Sequence, residues 1–132
     1  MLQDGVLITM SALVNEEGDL RPGAEELVSC LKGNGISFLI LTEKTLNTAE
    51  ETARDLARKG LVGIVGKDIY TTAMAAAERI IQIRPGKNKA AYIGGKGIRE
   101  ALSVNGFQTN VSQADWLFIG KDRNTVFRDY AY

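Results

Sequence analysis

The chain has 132 residues, with 16 basic and 16 acidic side chains, a formal net charge of zero and no histidine. Balanced charge gives no electrostatic footprint for nucleic acid or an anionic membrane, and the lack of histidine removes the commonest general base and metal ligand. Hydrophobic content of 45% and charged content of 24% suit a soluble globular chain with a core of its own. No apolar run approaches the ~20 residues of a membrane span, and the first five residues lack the basic start and apolar stretch of a secretory signal. Cys30, the single cysteine, has no internal disulfide partner, so a reducing cytoplasm is the expected compartment.

The first predicted element is a strand. Val6, Leu7, Ile8 and Met10 are apolar without strict alternation, the pattern of a strand covered on both faces. Asn15-Glu16-Glu17-Gly18-Asp19 reads as an exposed loop, and Arg21-Pro22-Gly23-Ala24 opens a helix with Pro22 near its first turn, where a missing N–H costs little. That helix continues to Lys32 with Leu27, Val28 and Leu31 on its packed face and Cys30 buried beside them. Gly33-Asn34-Gly35 ends it. Ile36 to Leu41 is the second buried strand, with Thr42-Glu43-Lys44-Thr45 at its carboxyl end. The next helix runs from about Thr48 to Lys59, opened by Thr48 as N-cap with Glu51 three residues on. Its packed side is Ala49, Thr52, Ala53, Leu56 and Ala57.

Leu61 to Val65 is the third predicted strand, weakened by Gly63. Ala73 to Ile81 has high helix propensity, and Pro85-Gly86-Lys87-Asn88 breaks the chain. Lys89 to Ile93 is the fourth strand. Gly94-Gly95-Lys96-Gly97 turns into a helix from Ile98 to Val104, ended by Asn105-Gly106. Ala114 to Ile119 is the fifth strand, Gly120-Lys121-Asp122 its loop, and Thr125 to Tyr132 the start of a last helix. Strands alternating with helices predict parallel pairing through right-handed crossovers.

Taken in order, Arg21-Pro22-Gly23-Ala24, Phe38 to Thr42, Tyr70-Thr71-Thr72-Ala73, Tyr92-Ile93-Gly94, Gly97 to Leu102, Gly106-Phe107 and Ile119 to Arg123 resemble the haloacid-dehalogenase (HAD) superfamily of phosphatases, in its NagD-like, nitrophenylphosphatase-type branch. The resemblance implies an α/β fold, a three-layer Rossmann-like (HAD-like) parallel sheet of about five strands, here expected in the self-contained order 3-2-1-4-5. It implies a single HAD-like α/β domain over residues 1–132 or, alternatively, a partial HAD core over 1–86 and a partial cap over 87–132. Family members begin with an apolar strand ending in Asp-x-Asp-Gly-Thr, whose first Asp is the nucleophile and whose second is the general acid/base. The matching positions here are Thr9, Met10, Ser11, Ala12 and Leu13, so both carboxylates are absent. The family's later lysine and acidic metal-binding motifs have no counterpart in these residues.

Phosphoryl transfer of this kind needs a carboxylate nucleophile, an adjacent acid/base, a carboxylate-held magnesium and donors on the phosphate. Thr9 offers a hydroxyl with no histidine to activate it, and Ser11 is a poor acid/base. The expected function is therefore a catalytically degenerate HAD-like domain acting as a binding or assembly module, with no magnesium-dependent turnover. Two alternatives stay open: a weak HAD-type phosphatase or phosphate-ligand binder, and a fragment completed by another chain. Thr9 and Ser11 are the degenerate catalytic positions. Ser11, Ala12, Thr42, Lys44, Gly95 and Lys96 are the anion-binding candidates, Thr42 being the residue that the resemblance implies hydrogen-bonds phosphate. The order 3-2-1-4-5 would gather them at the switch point between the first and fourth strands.

No cofactor is expected, since magnesium goes with the family but its ligands are absent. Expected partners are a second copy or partner chain and a small anion or phosphorylated ligand, with nucleic acid and membrane excluded. Blander readings stand beside these. Thr9, Ser11 and Thr42 also read as polar strand ends satisfying local backbone. Gly94 to Gly97 matches neither the dinucleotide fingerprint nor the P-loop and also reads as a plain tight turn. Trp116, Phe118, Tyr130 and Tyr132 read as packing rather than as a stacking platform.

Overall fold

The computed structural model describes residues 5–121. The chain divides into two compact units: the stretch up to Thr42 with Ala49–Tyr70, and Glu43–Thr48 with the stretch from Thr71 on.

In the first unit, strand β1 (Val6–Thr9) runs straight into a one-turn helix α1 (Met10–Leu13). Helix α2 (Ala24–Gly33), strand β2 (Phe38–Thr42), helix α3 (Ala49–Arg58) and strand β3 (Ile69–Thr71) follow, the last residue of β3 falling in the second unit. β1 and β2 are parallel, with Ile8 opposite Ile40 and Thr9 opposite Leu41, and β2 lies between β1 and β3. Parallel strands need a crossover, and α2 supplies it between β1 and β2, as the alternation of elements predicts. Ile8, Leu13, Val28, Leu31, Ile40 and Leu56 are buried here.

Sequence and structure part at four places in this unit. β1 is not covered on both faces: Ile8 is buried, but Leu7 on the opposite face is 69% exposed. Among the described residues nothing buries that face, and β1 also stands at the edge of its sheet. On α2 the buried stripe is Ala24, Val28 and Leu31, at i, i+4 and i+7. Leu27 is 40% exposed. Cys30 is exposed rather than packed, because it lies about 200° round the helix from Val28. Finally, 61–65 is not a strand. Gly63 adopts φ +90°, which extended backbone does not allow, and Lys32 Nζ donates to its carbonyl. Leu61 and Ile64 are buried as loop anchors. The strand comes later, at Ile69–Thr71, after a short 3-10 turn over Gly66–Asp68.

The second unit has helix α4 (Thr72–Ile83), strand β4 (Ala90–Ile93), helix α5 (Lys96–Val104) and strand β5 (Trp116–Ile119). β4 and β5 pair in parallel, Ala90 opposite Trp116 and Tyr92 opposite Phe118. Their inner face and the two helices enclose a core of Ala73, Ala77, Ala90, Ile98, Ala101, Leu102 and Phe107. Phe118 meets Phe107 edge-on, with ring centroids 5.7 Å apart. Trp116 packs against the same core while its indole N–H donates to Lys87 O at 2.9 Å. Both rings are thus packing residues, as expected. Tyr130, Tyr132 and the predicted helix from Thr125 lie outside the described residues.

The α/β class and its parallel pairing hold. The five-stranded order 3-2-1-4-5 holds only in its first half: β4 and β5 form a separate two-stranded sheet and do not pair beside β1. Alternation of strands and helices sets the direction of pairing, but it does not say which strands are neighbours.

Candidate functional site

Thr9 closes β1 and Thr42 closes β2, so the two threonines sit at the carboxyl ends of adjacent parallel strands. This is where open α/β sheets place their ligands. Past Thr9 the chain coils at once into α1, which carries Ser11 and Ala12. The hydroxyls of Thr9 and Ser11 come within 3.2 Å, one donating to the other. Both are exposed, whereas Thr42 is 7% exposed.

The turn is held from behind. Leu13 is fully buried, Val14 pairs with Leu20 in an isolated antiparallel bridge, and Arg21 N donates to Leu13 O at 2.7 Å. Between these, Asn15 Oδ1 accepts from Asp19 N at 2.8 Å, closing residues 15–19 into a compact loop. The Arg21 guanidinium then reaches back, its Nε donating to Ser11 O at 2.6 Å. Arg21 thereby sets a permanent positive charge against the Thr9–Ser11 turn. In the sequence Arg21 reads only as part of a helix start. No spacing rule links position 21 to position 11; the loop closed by Asn15 makes the link.

The other candidates lie in the second unit. Lys44 belongs to the 43–48 segment. Gly95 precedes α5 and Lys96 begins it. Here the glycines have a packing reason. A Cβ on Gly95 would stand 2.5 Å from both Leu46 Cα and Leu46 O. A Cβ on Gly97 would overlap Asn47 O and stand 2.6 Å from Thr45 O. The approach is closed by two hydrogen bonds, Lys96 N to Leu46 O and Gly97 N to Thr45 O, each 3.1 Å. Two backbone N–H groups of the turn thus point at loop carbonyls. The crevice expected at a switch point between the first and fourth strands presupposes one sheet, and β1 and β4 belong to different sheets. Thr9, Ser11, Ala12 and Thr42 come together in the first unit; Lys44, Gly95 and Lys96 belong to the second.

Three comparisons bear on this geometry. A family model described as haloacid dehalogenase-like hydrolase matches residues 3–108. The 5'-nucleotidase YutF of Bacillus subtilis is 29% identical over 126 residues, 90% of this chain and 48% of YutF. The dihydroxyacetone phosphatase of Corynebacterium glutamicum is 29% identical over 125 residues, 94% of this chain and 42% of that protein. Among solved structures, NagD from E. coli K-12 superposes with a TM-score of 0.81 at 23% identity, over 97% of this chain and 50% of NagD. The chain spans about half the length of the curated relatives it matches.

Proposed function

The chain belongs to the haloacid dehalogenase-like hydrolases, and from that premise we propose that it is a catalytically degenerate member, a binding or assembly module that holds a small anion or phosphorylated ligand without turning it over. The observation that carries this reading is the hydroxyl pair of Thr9 and Ser11, 3.2 Å apart where the family has two carboxylates. A hydroxyl nucleophile needs a positioned base, and a guanidinium is none. The same residues do not fit magnesium, which takes carboxylate oxygens; the turn offers hydroxyls and the repelling charge of Arg21. They do suit an anion, since hydroxyls donate and Arg binds phosphate or carboxylate through a planar fork. Among the described residues no helix is long and apolar enough to cross a membrane. A single exposed thiol, Cys30, suits a reducing compartment such as the cytoplasm.

The test is p-nitrophenyl phosphate with magnesium, alongside Thr9→Ala and Ser11→Ala. No turnover above the uncatalysed rate is expected. Turnover abolished by either substitution would overturn the reading. Restoring Asp at both positions should give little activity, because nothing in these residues replaces the family's later lysine and acidic motifs. Titration with inorganic phosphate should shift the amides of Ser11 and Ala12 at millimolar concentration, and Arg21→Gln should weaken that binding. Fixed amides would leave the assembly role alone.

A second reading has its own support. Among the described residues β1 pairs on one side only, with Leu7 69% exposed beside the open edge, and the matched relatives are about twice as long. An open, apolar strand edge is a template for another strand. In this reading a second copy or partner chain completes the sheet, and the mass in solution tests it.

A further inference from the structure

The second unit contains a cavity of about 340 Å3. At this size it lies at the small end of ligand pockets, which run from roughly 300 to 1,000 Å3. Its apolar side is made by Ile98 of α5 and Phe118 of β5, and α4 faces it with two alanines, Ala73 and Ala76, which leave the space open. Its polar lining includes Glu43, Thr45 and Lys121.

Thr45 is the informative residue. It is 7% exposed and lines the cavity. Its own carbonyl accepts from Gly97 N, so a fixed backbone presents the hydroxyl. No fully buried polar atom of the described residues lacks a partner. Thr45 lines the cavity beside Gly120, and a hydroxyl there can donate to or accept from a bound polar group.

The charges choose the ligand. Glu43 would repel a simple anion, and Lys121 would repel a simple cation. Together, over an apolar side, they suit a molecule with one charge of each sign and a hydrocarbon body. Thr72 and Ala73, first-turn residues of the twelve-residue α4, also line the cavity, and that end of a helix favours the negative group. We propose that this cavity binds a small zwitterion with an apolar side chain, an α-amino acid about the size of leucine. Its ammonium faces Glu43, its carboxylate faces Lys121 and the start of α4, its side chain lies on Ile98 and Phe118, and Thr45 Oγ1 bonds to its polar head. None of these residues belongs to the Thr9–Ser11 turn, so the proposal stands or falls apart from the phosphate reading.

The experiment titrates the full chain with L-leucine while backbone amides are followed. 4-Methylpentanoate, which lacks the ammonium, and 3-methylbutylamine, which lacks the carboxylate, serve as controls. Leucine should shift the amides of Thr45, Gly120 and Lys121 saturably, with a Kd of about 1 mM. Each control should bind at least about tenfold more weakly. Thr45→Val keeps the shape and removes the hydroxyl, and Lys121→Gln changes only an exposed residue, so one of the two remains readable if the other disturbs the fold. Either should weaken leucine by at least about threefold. The proposal is overturned if those amides do not move at about 50 mM leucine, tens of times the expected Kd, if either control binds as well as leucine, or if Lys121→Gln leaves the affinity unchanged.

Discussion

Glycines divide, residue by residue, into those that a methyl group would improve and those it would ruin. Gly33 ends α2 with an ordinary φ, and a Cβ there would meet nothing within 4 Å. Gly97 lies inside α5, where a Cβ would strike the carbonyls of Asn47 and Thr45. Alanine is favoured over glycine in a helix by up to about 1 kcal/mol, whereas forcing a methyl against backbone costs about 1–3 kcal/mol. Gly33→Ala should therefore stabilise by about 0.5 kcal/mol, and Gly97→Ala should destabilise by about 1–2 kcal/mol after the helix gain is offset. Chemical denaturation read by Trp116 fluorescence and by circular dichroism measures both; changes of the same sign would refute this account of Gly97. The sequence shows that 94–97 turns into a helix. It cannot show the loop packed on that turn, because the 43–48 segment is some fifty residues away in the chain. Arg21 is hidden from sequence reading for the same reason, being joined to Ser11 by a fold of the loop rather than by a spacing.

Element boundaries are legible where chain chemistry is strong. Pro22 and Gly23 mark the start of α2, and α5 ends where Asn105 Nδ2 donates to Ala101 O at 2.8 Å and Gly106 takes φ +76°. They are illegible where tertiary structure decides. Leu61, Val62, Ile64 and Val65 have strand composition, but Gly63 bends them into a loop, and the three-residue β3 abuts α4 with no spacer. That junction rests on Thr71, which is 2% exposed, ends β3 and caps α4 by accepting from Met74 N at 3.2 Å. Loss of such a cap costs about 0.5–2 kcal/mol. Thr71→Val keeps the volume and removes the acceptor, so it should lose about 1 kcal/mol or more. Thr71→Ser keeps the acceptor and should lose less. Equal losses in urea denaturation would mean that the methyl's packing, not the cap, holds the junction.

At the scale of the whole molecule, hydrophobic pattern identifies strands and the faces they bury, but not which strands are neighbours. The continuous apolar run of β1 is written for a strand covered on both faces, yet among the described residues one face is open and β1 pairs on one side. Placing β4 and β5 on the open side is the economical answer from sequence, and their separate sheet leaves that edge with Leu7 69% exposed. Such an edge either draws in a strand or associates with itself. Sedimentation of the full chain should accordingly show association that grows with concentration. Leu7→Lys places a charge beside the open edge, on the exposed face opposite Ile8, so it should suppress association while changing stability by no more than about 0.5 kcal/mol. Cys30, exposed on α2 and away from this edge in the sequence, should react with a thiol reagent equally fast in both proteins. Wild-type protein that stays monomeric at every concentration, or a Leu7→Lys variant that associates as strongly as wild type, would show that β1's edge is not the surface at which the molecule meets its partner.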